Sequence, residues 1–191
     1  MKDRTTAVGN RVNGLDLEAL QGVVQAIQRD PTEAQVEFRV TTNWCGQTRS
    51  ESSVESLTLG GRRIPRSFRM VIDEPLELLG TNTAPNPQET LMAALNACML
   101  VGYVAGAATR GISLERVEIV TSGKLDLRGF LGLDDKVIPG YERLSYTVRI
   151  KGDGTADQFR EIHETVMKTS PNYFNLSRPI RMDSKLEVMP R

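Results

Sequence analysis

The chain carries two cysteines, Cys45 and Cys98, and one histidine, His163. That set is too small for a Cys/His zinc site, so no metal is expected, and nothing else in the sequence calls for a cofactor. Thiol redox chemistry is what remains open to these residues. A free cysteine titrates near 8.5 and is mostly protonated at neutral pH, so a nucleophilic role for Cys98 requires an arginine or lysine brought in by the fold. No such partner lies within one or two turns on its own segment. Because free cysteine is among the most buried residue types, spacing alone favours inert core packing of Cys98.

Other candidates are weaker. His163 stands beside Glu161 and Glu164 and reads as a solvent-facing side chain with no triad to join. Arg62, Arg63, Arg66 and Arg69 cluster, but only Phe68 is interleaved among them. Lys plus Arg and Asp plus Glu both number 24, so the chain is formally neutral and no global field favours nucleic acid.

With 191 residues, 39% hydrophobic and 25% charged, one domain with a real core is expected. No apolar run approaches the roughly 18 residues of a membrane span, and the polar start MKDRTTAVGN lacks a signal-peptide stretch. The expectation is therefore a cytoplasmic protein with no membrane partner, in a compartment that disfavours structural disulfides.

The elements that must position Cys98 follow from periodicity. Leu17, Leu20, Val24 and Ile27 predict an amphipathic helix capped by Asp16 and closed by Pro31. Residues 1–33 thus form a helical extension ahead of the main domain, 34–191. From Val36 the pattern alternates, with Val36, Phe38, Val40, Thr42 and Trp44 on one face, which predicts a half-buried strand with Cys45 on its polar side. Strands near Ser53 to Leu59 and Phe68 to Ile72 follow, joined at Gly60-Gly61.

The segment holding Cys98 is the most strongly specified. Asn86 suits an N-cap, Pro87 the first helical position, and Glu89 the acid of a capping box. The helix is predicted to run to Arg110 before Gly111 takes the left-handed position, giving about 24 residues and roughly 36 Å. Ala93, Ala94, Ala97, Gly102, Ala105, Gly106, Ala107 and Ala108 leave it small and apolar nearly all round, so it should be buried with other backbones close by. Strands around Val117 to Thr121 and Leu144 to Ile150, a helix from Asp157 to Lys168, and a closing strand at Leu186 and Val188 complete an α+β order.

The run Pro87-Gln88-Glu89-Thr90-Leu91-Met92-Ala93-Ala94-Leu95-Asn96-Ala97-Cys98-Met99 resembles the central helix of the OsmC/Ohr family, and Arg110 to Glu118 resembles that family's helix-to-strand junction. The resemblance implies the OsmC-like fold: antiparallel sheets around a long central helix, in an intertwined homodimer with two sites at the subunit interface. It also implies a peroxide-attacking cysteine at Cys98 and an activating arginine in the strand region after Trp44. Arg49 is the nearest match there, with Arg62 or Arg63 as alternatives.

The sequence departs from this pattern twice. The place of the family's acid before the helix holds Gln88, and Glu89 beside it is better read as a cap. The family's second redox cysteine, in a Cys-Pro step, corresponds to Ser170-Pro171, and a serine forms no disulfide. Cys45 is a poor replacement for it. Tyr173 and Phe174, next to Ser170, are expected to line an apolar pocket near the thiol, or to be ordinary core.

The leading expectation is thus a single-cysteine, thiol-dependent reductase of organic hydroperoxides that relies on an external thiol reductant. The alternatives are a non-enzymatic protein binding a small apolar ligand in the same pocket, and a one-cysteine redox sensor.

Overall fold

Asp16 acts as its position predicts: its carboxylate accepts the Ala19 amide at 3.0 Å and starts helix α1, Leu17–Arg29. The computed structural model describes residues 10–190, so the chain start and Arg191 lie outside the described residues. A short hairpin, β1 (Arg11–Val12) and β2 (Leu15–Asp16), precedes α1. Asn13 and Gly14 form its turn with φ of 53° and 79°, the left-handed pair that a two-residue hairpin loop demands. The Asn13 side chain also reaches across to Ile112 O and Leu114 N, which ties the hairpin to the distant main domain.

The predicted strand from Val36 to Cys45 is broken in two, β3 (Val36–Phe38) and β4 (Thr41–Trp44). Both pair antiparallel with β5 (Ser50–Leu59), whose other edge takes β6 (Arg62–Ile72). The register between β5 and β6 shifts between Val54 and Ser56, where Pro65 stands opposite Ser56 and has no amide to give to a ladder. The alternation in β3 and β4 is real, but the strand is not half-buried. Phe38 and Trp44 are 68% and 78% exposed, because no other described residue covers that face. Cys45 falls just past β4, in the turn to β5 rather than on a strand face.

The central helix α2 spans Pro87–Ala108. Its capping box is complete: Asn86 Oδ1 accepts the Glu89 amide and Glu89 Oε2 accepts the Asn86 amide, each at 2.8 Å. Its end comes two residues before the predicted Arg110, and Gly111 takes the left-handed conformation at φ 70°. Beyond it, β7 (Leu114–Gly123) pairs antiparallel with β8 (Leu144–Gly152) across a connection that contains the short helix α3 (Leu127–Phe130). Helix α4 (Ala156–Thr169) and the one-residue joint Ser170 lead into α5 (Pro171–Ser177). The predicted closing strand at Leu186 and Val188 does not form. Residues 178–190 adopt neither helix nor strand, and they pair with none of the free sheet edges among the described residues.

Leu95, Met99, Tyr103 and Ala107 of α2 form the core with Ile112 and with Ile162 and Val166 of α4, and β7 and β8 pack against it. Gly102 and Gly106 let α4 approach: a Cβ on Gly102 would stand 2.9 Å from Val166 Cγ2, and one on Gly106 would stand 3.1 Å from Ile162 Cγ2. Asn96 docks the same helix on β7, donating to Ile119 O and accepting from Thr121 Oγ1. Burial is one-sided, however. Leu91, Leu100 and Val101 remain exposed, Val101 at 68%, so the expectation of a helix buried all round fails within one chain. Contrary to the sequence expectation, α2 is long and apolar enough to cross a membrane by length and composition; five of its residues instead form part of the buried core.

Candidate functional site

Cys98 sits half-buried near the middle of α2, and the fold brings Ser170 to it. Ser170 is 5% exposed, and its hydroxyl donates to Cys98 Sγ at 3.4 Å. Three further bonds fix the serine. Its amide donates to Val166 O at 2.8 Å and ends α4; its hydroxyl accepts the Tyr173 amide at 3.4 Å and its carbonyl the Phe174 amide at 3.0 Å, which start α5. Pro171, at the first position of α5, has no amide to leave unpaired there. Asn172 pins α5 to the central helix by donating to Ala94 O at 2.9 Å. Among the described residues Ser170 is the one hydrogen-bond partner of the Cys98 thiol.

A cavity of about 610 Å³ adjoins this contact, with Gln88, Leu91, Leu95, Arg143, Tyr146 and Tyr173 in its wall. Leu95, one turn before Cys98, and Tyr173, bonded to Ser170, contribute to its wall, while Cys98 and Ser170 themselves do not. Gln88 and Tyr173 therefore share one apolar-walled space. Phe174 does not join them. It is exposed, with the Arg178 guanidinium 4.9 Å above its ring.

Arg49 is also elsewhere. It is exposed in the turn after β4, where it lines a separate depression of about 340 Å³ with Cys45, Gly46, Gln47, Thr81 and Thr83. Within one chain it has no hydrogen bond to Cys98. Cys45 donates weakly to Asn43 O at 3.6 Å, and both cysteines are free thiols.

Two arrangements escaped sequence reasoning. Asp73 is fully buried and accepts from the hydroxyls of Thr48, Thr81 and Thr83 and from the amides of Glu74, Thr81 and Thr83. The Thr81 hydroxyl, followed by the other donors, holds its carboxyl well below the usual carboxylate range despite burial. This clamp gathers the loop that delivers the chain to the cap of α2, and the spaced threonines of GTNT were its only trace in the sequence. The second arrangement overturns the solvent-facing reading of His163. Its Nδ1 lies 2.5 Å from the hydroxyl of buried Tyr103, with the two rings stacked at 6.0 Å. Burial, and then the neighbouring Tyr146, push the Tyr103 phenol up from its ordinary value.

The central helix presents Cys98 to Ser170 and packs on β7 of the two-stranded antiparallel sheet, while the four-stranded antiparallel sheet precedes it in the chain. The family model described as OsmC-like protein matches residues 80–185, the stretch that runs from before α2 past α5. The chain belongs to the OsmC-like family.

Solved structures agree at the level of the fold. An OsmC-like protein from Mycoplasma pneumoniae superposes with a TM-score of 0.58 at 15% identity, covering 74% of this chain and 87% of the other. An OsmC-like protein of unknown function from Vibrio cholerae gives 0.53 at 13% identity, covering 72% and 92%. A putative osmotic stress induced and detoxification response protein from Psychrobacter arcticus 273-4 gives 0.54 at 14% identity, covering 73% and 88%. No curated protein matches the sequence. As an OsmC-like protein, this chain has the α+β architecture of antiparallel sheets and a long central helix that its sequence predicts.

Proposed function

We propose that this OsmC-like protein reduces organic hydroperoxides with Cys98 as its single reactive thiol, as a cytoplasmic homodimer. The observation that carries the reading is the Ser170 hydroxyl donating to Cys98 Sγ beside an apolar-walled cavity. A hydroxyl donor favours the anionic over the neutral sulfur, and the cavity offers a place for an organic tail.

The chemistry balances with one cysteine. The thiolate attacks the terminal peroxide oxygen, the O–O bond breaks, and the alkoxide leaves as an alcohol once protonated. Sulfur, oxidised by two electrons, becomes a sulfenic acid. Ser170 has no thiol to condense with it, so an external thiol forms a mixed disulfide and releases water. A second external thiol attacks that disulfide and returns Cys98 to the thiol.

The activating cation is assigned to a second copy of the chain. Within one chain Cys98 has Ser170 as its partner, while the apolar residues Phe38, Val40 and Trp44, together with Leu100 and Val101 of α2, stand uncovered. Exposed apolar residues on this scale favour burial against another chain. Two copies meeting there would enclose the central helix and bring N-terminal strands, with Arg49 as the nearest match to the family's arginine, toward the partner's thiol.

Reduced protein treated with one equivalent of cumene hydroperoxide should gain one oxygen by intact-mass analysis, and Cys98→Ser should gain none while Cys45→Ser behaves as wild type. An unmodified Cys98 in protein that still binds apolar ligands in the cavity would replace this reading with a non-enzymatic carrier. That second reading draws on the serine at position 170 and on a cavity walled by Leu91, Leu95, Tyr146 and Tyr173.

A further inference from the structure

A larger cavity, of about 680 Å³, opens between α2, β8 and α4, on the other side of Tyr146 from the space beside Cys98. Its size falls within the roughly 300 to 1,000 Å³ of small-molecule sites. Four aromatic rings line it: Tyr103, Tyr146, Phe159 and His163. The remaining polar wall is Arg160 and Thr147, and no lining residue is acidic.

The polar atoms are oriented by a buried hydrogen bond. Tyr103 is 1% exposed, and its phenol keeps its proton through the neutral range and has one to donate. Its partner among the described residues is His163 Nδ1, at 2.5 Å. An imidazole that accepts at Nδ1 carries its own hydrogen on Nε2, and no protein group among the described residues takes that hydrogen. Arg160 pairs with Asp157, but the two side chains are 71% and 82% exposed, so the pair is weak and the guanidinium free to turn. The wall thus combines flat apolar faces with a guanidinium, an imidazole N–H and a hydroxyl.

We propose that this cavity is a second small-molecule site, separate from Cys98, that takes an aromatic carboxylate. The ring packs among Tyr146, Phe159 and His163, and the carboxylate turns toward Arg160 and the His163 Nε2 hydrogen. Carboxylates bind guanidinium groups through paired, charge-assisted hydrogen bonds, whereas a neutral analogue of the same shape forfeits them.

The test uses 3-phenylpropanoate as the probe and tag-free protein of this sequence, in which His163 is the single histidine and so gives one imidazole Hε1 signal to follow by NMR. Titration should shift that signal saturably, and 3-phenylpropanamide should bind about tenfold more weakly or worse. Arg160→Gln should weaken the carboxylate by a similar factor and leave the amide unchanged. Ala156→Trp, which puts bulk into the cavity from the exposed first position of α4, should abolish both. Binding should persist in Cys98→Ser, which separates this site from the thiol chemistry. A signal that does not move, or an affinity indifferent to both Arg160→Gln and Ala156→Trp, would overturn the proposal. So would a cavity filled by the second chain of a dimer.

Discussion

The Ser170 hydroxyl donates to Cys98 Sγ across 3.4 Å, joining the middle of the central helix to the joint between α4 and α5. The bond makes one serine responsible for two things: the state of the sulfur and the start of α5. Ser170→Ala removes both. The lost cap should lower stability by about 1 kcal/mol in chemical denaturation, and the rate of Cys98 oxidation by hydroperoxide should fall with it. Ser170→Thr keeps the hydroxyl and should recover most of the cap; an oxidation rate identical in Ser170→Ala and wild type would show that the hydroxyl does nothing for the sulfur.

Ser170→Cys places a second thiol at the same contact. After one equivalent of hydroperoxide, the sulfenic acid should condense with it, so intact mass should show the loss of two hydrogens rather than the gain of one oxygen. Persistent sulfenic acid in that variant would mean the two sulfur atoms cannot reach bonding geometry.

Asp73 couples folding to acid. Its folded carboxyl titrates below the roughly 3.9 of a free aspartate, so between those values the unfolded chain binds more protons than the folded one. The stabilisation is complete above about pH 4 and is lost as pH falls through the folded value. Asp73→Asn should therefore lower Tm at pH 7 by several degrees, because one acceptor oxygen becomes a donor facing hydroxyls and amides that must also donate. The difference between variant and wild type should shrink in strong acid.

Gly102 tests the closeness of α2 and α4. Alanine is the better helix former by about 1 kcal/mol, yet its Cβ would meet Val166 Cγ2 at 2.9 Å in a core where Val166 is 1% exposed. Overpacking costs about 1 to 3 kcal/mol, so Gly102→Ala should be neutral to destabilising in thermal melts. A clear gain in Tm would show that α4 yields.

The uncovered faces predict association. Sedimentation should find a dimer, and Val101→Arg, which puts a charge on the exposed side of α2, should weaken or abolish it. If Cys98 reactivity depends on a guanidinium from the second chain, that variant and Arg49→Gln should both slow its oxidation. A monomeric wild type at micromolar concentration would remove the basis for an arginine in trans.

What the sequence by itself determined is whatever a few neighbouring residues decide. Asn86, Pro87 and Glu89 specified the start of α2, Asp16 the start of α1, and alternation specified β7 and β8, because caps and pleats are satisfied within about four residues or within one strand's own two faces. Resemblance supplied the fold and aligned Ser170 with the family's second cysteine.

The tertiary structure alone decided that Tyr103 meets His163, and it supplied the hydrogen bond between Cys98 and Ser170 that resemblance had only aligned. Cys98 and Ser170 are 72 positions apart and Tyr103 and His163 are 60, and no local periodicity encodes either distance. It also decided what does not form. Leu186 and Val188 alternate as a strand should, and Val36 to Trp44 alternate as a half-buried one should. Pairing and burial need a second surface, however, and among the described residues the tail docks on no strand and β3 and β4 have no cover. Those outcomes depend on the sum of many weak contacts between packed elements, which is fixed only once the elements are set against one another.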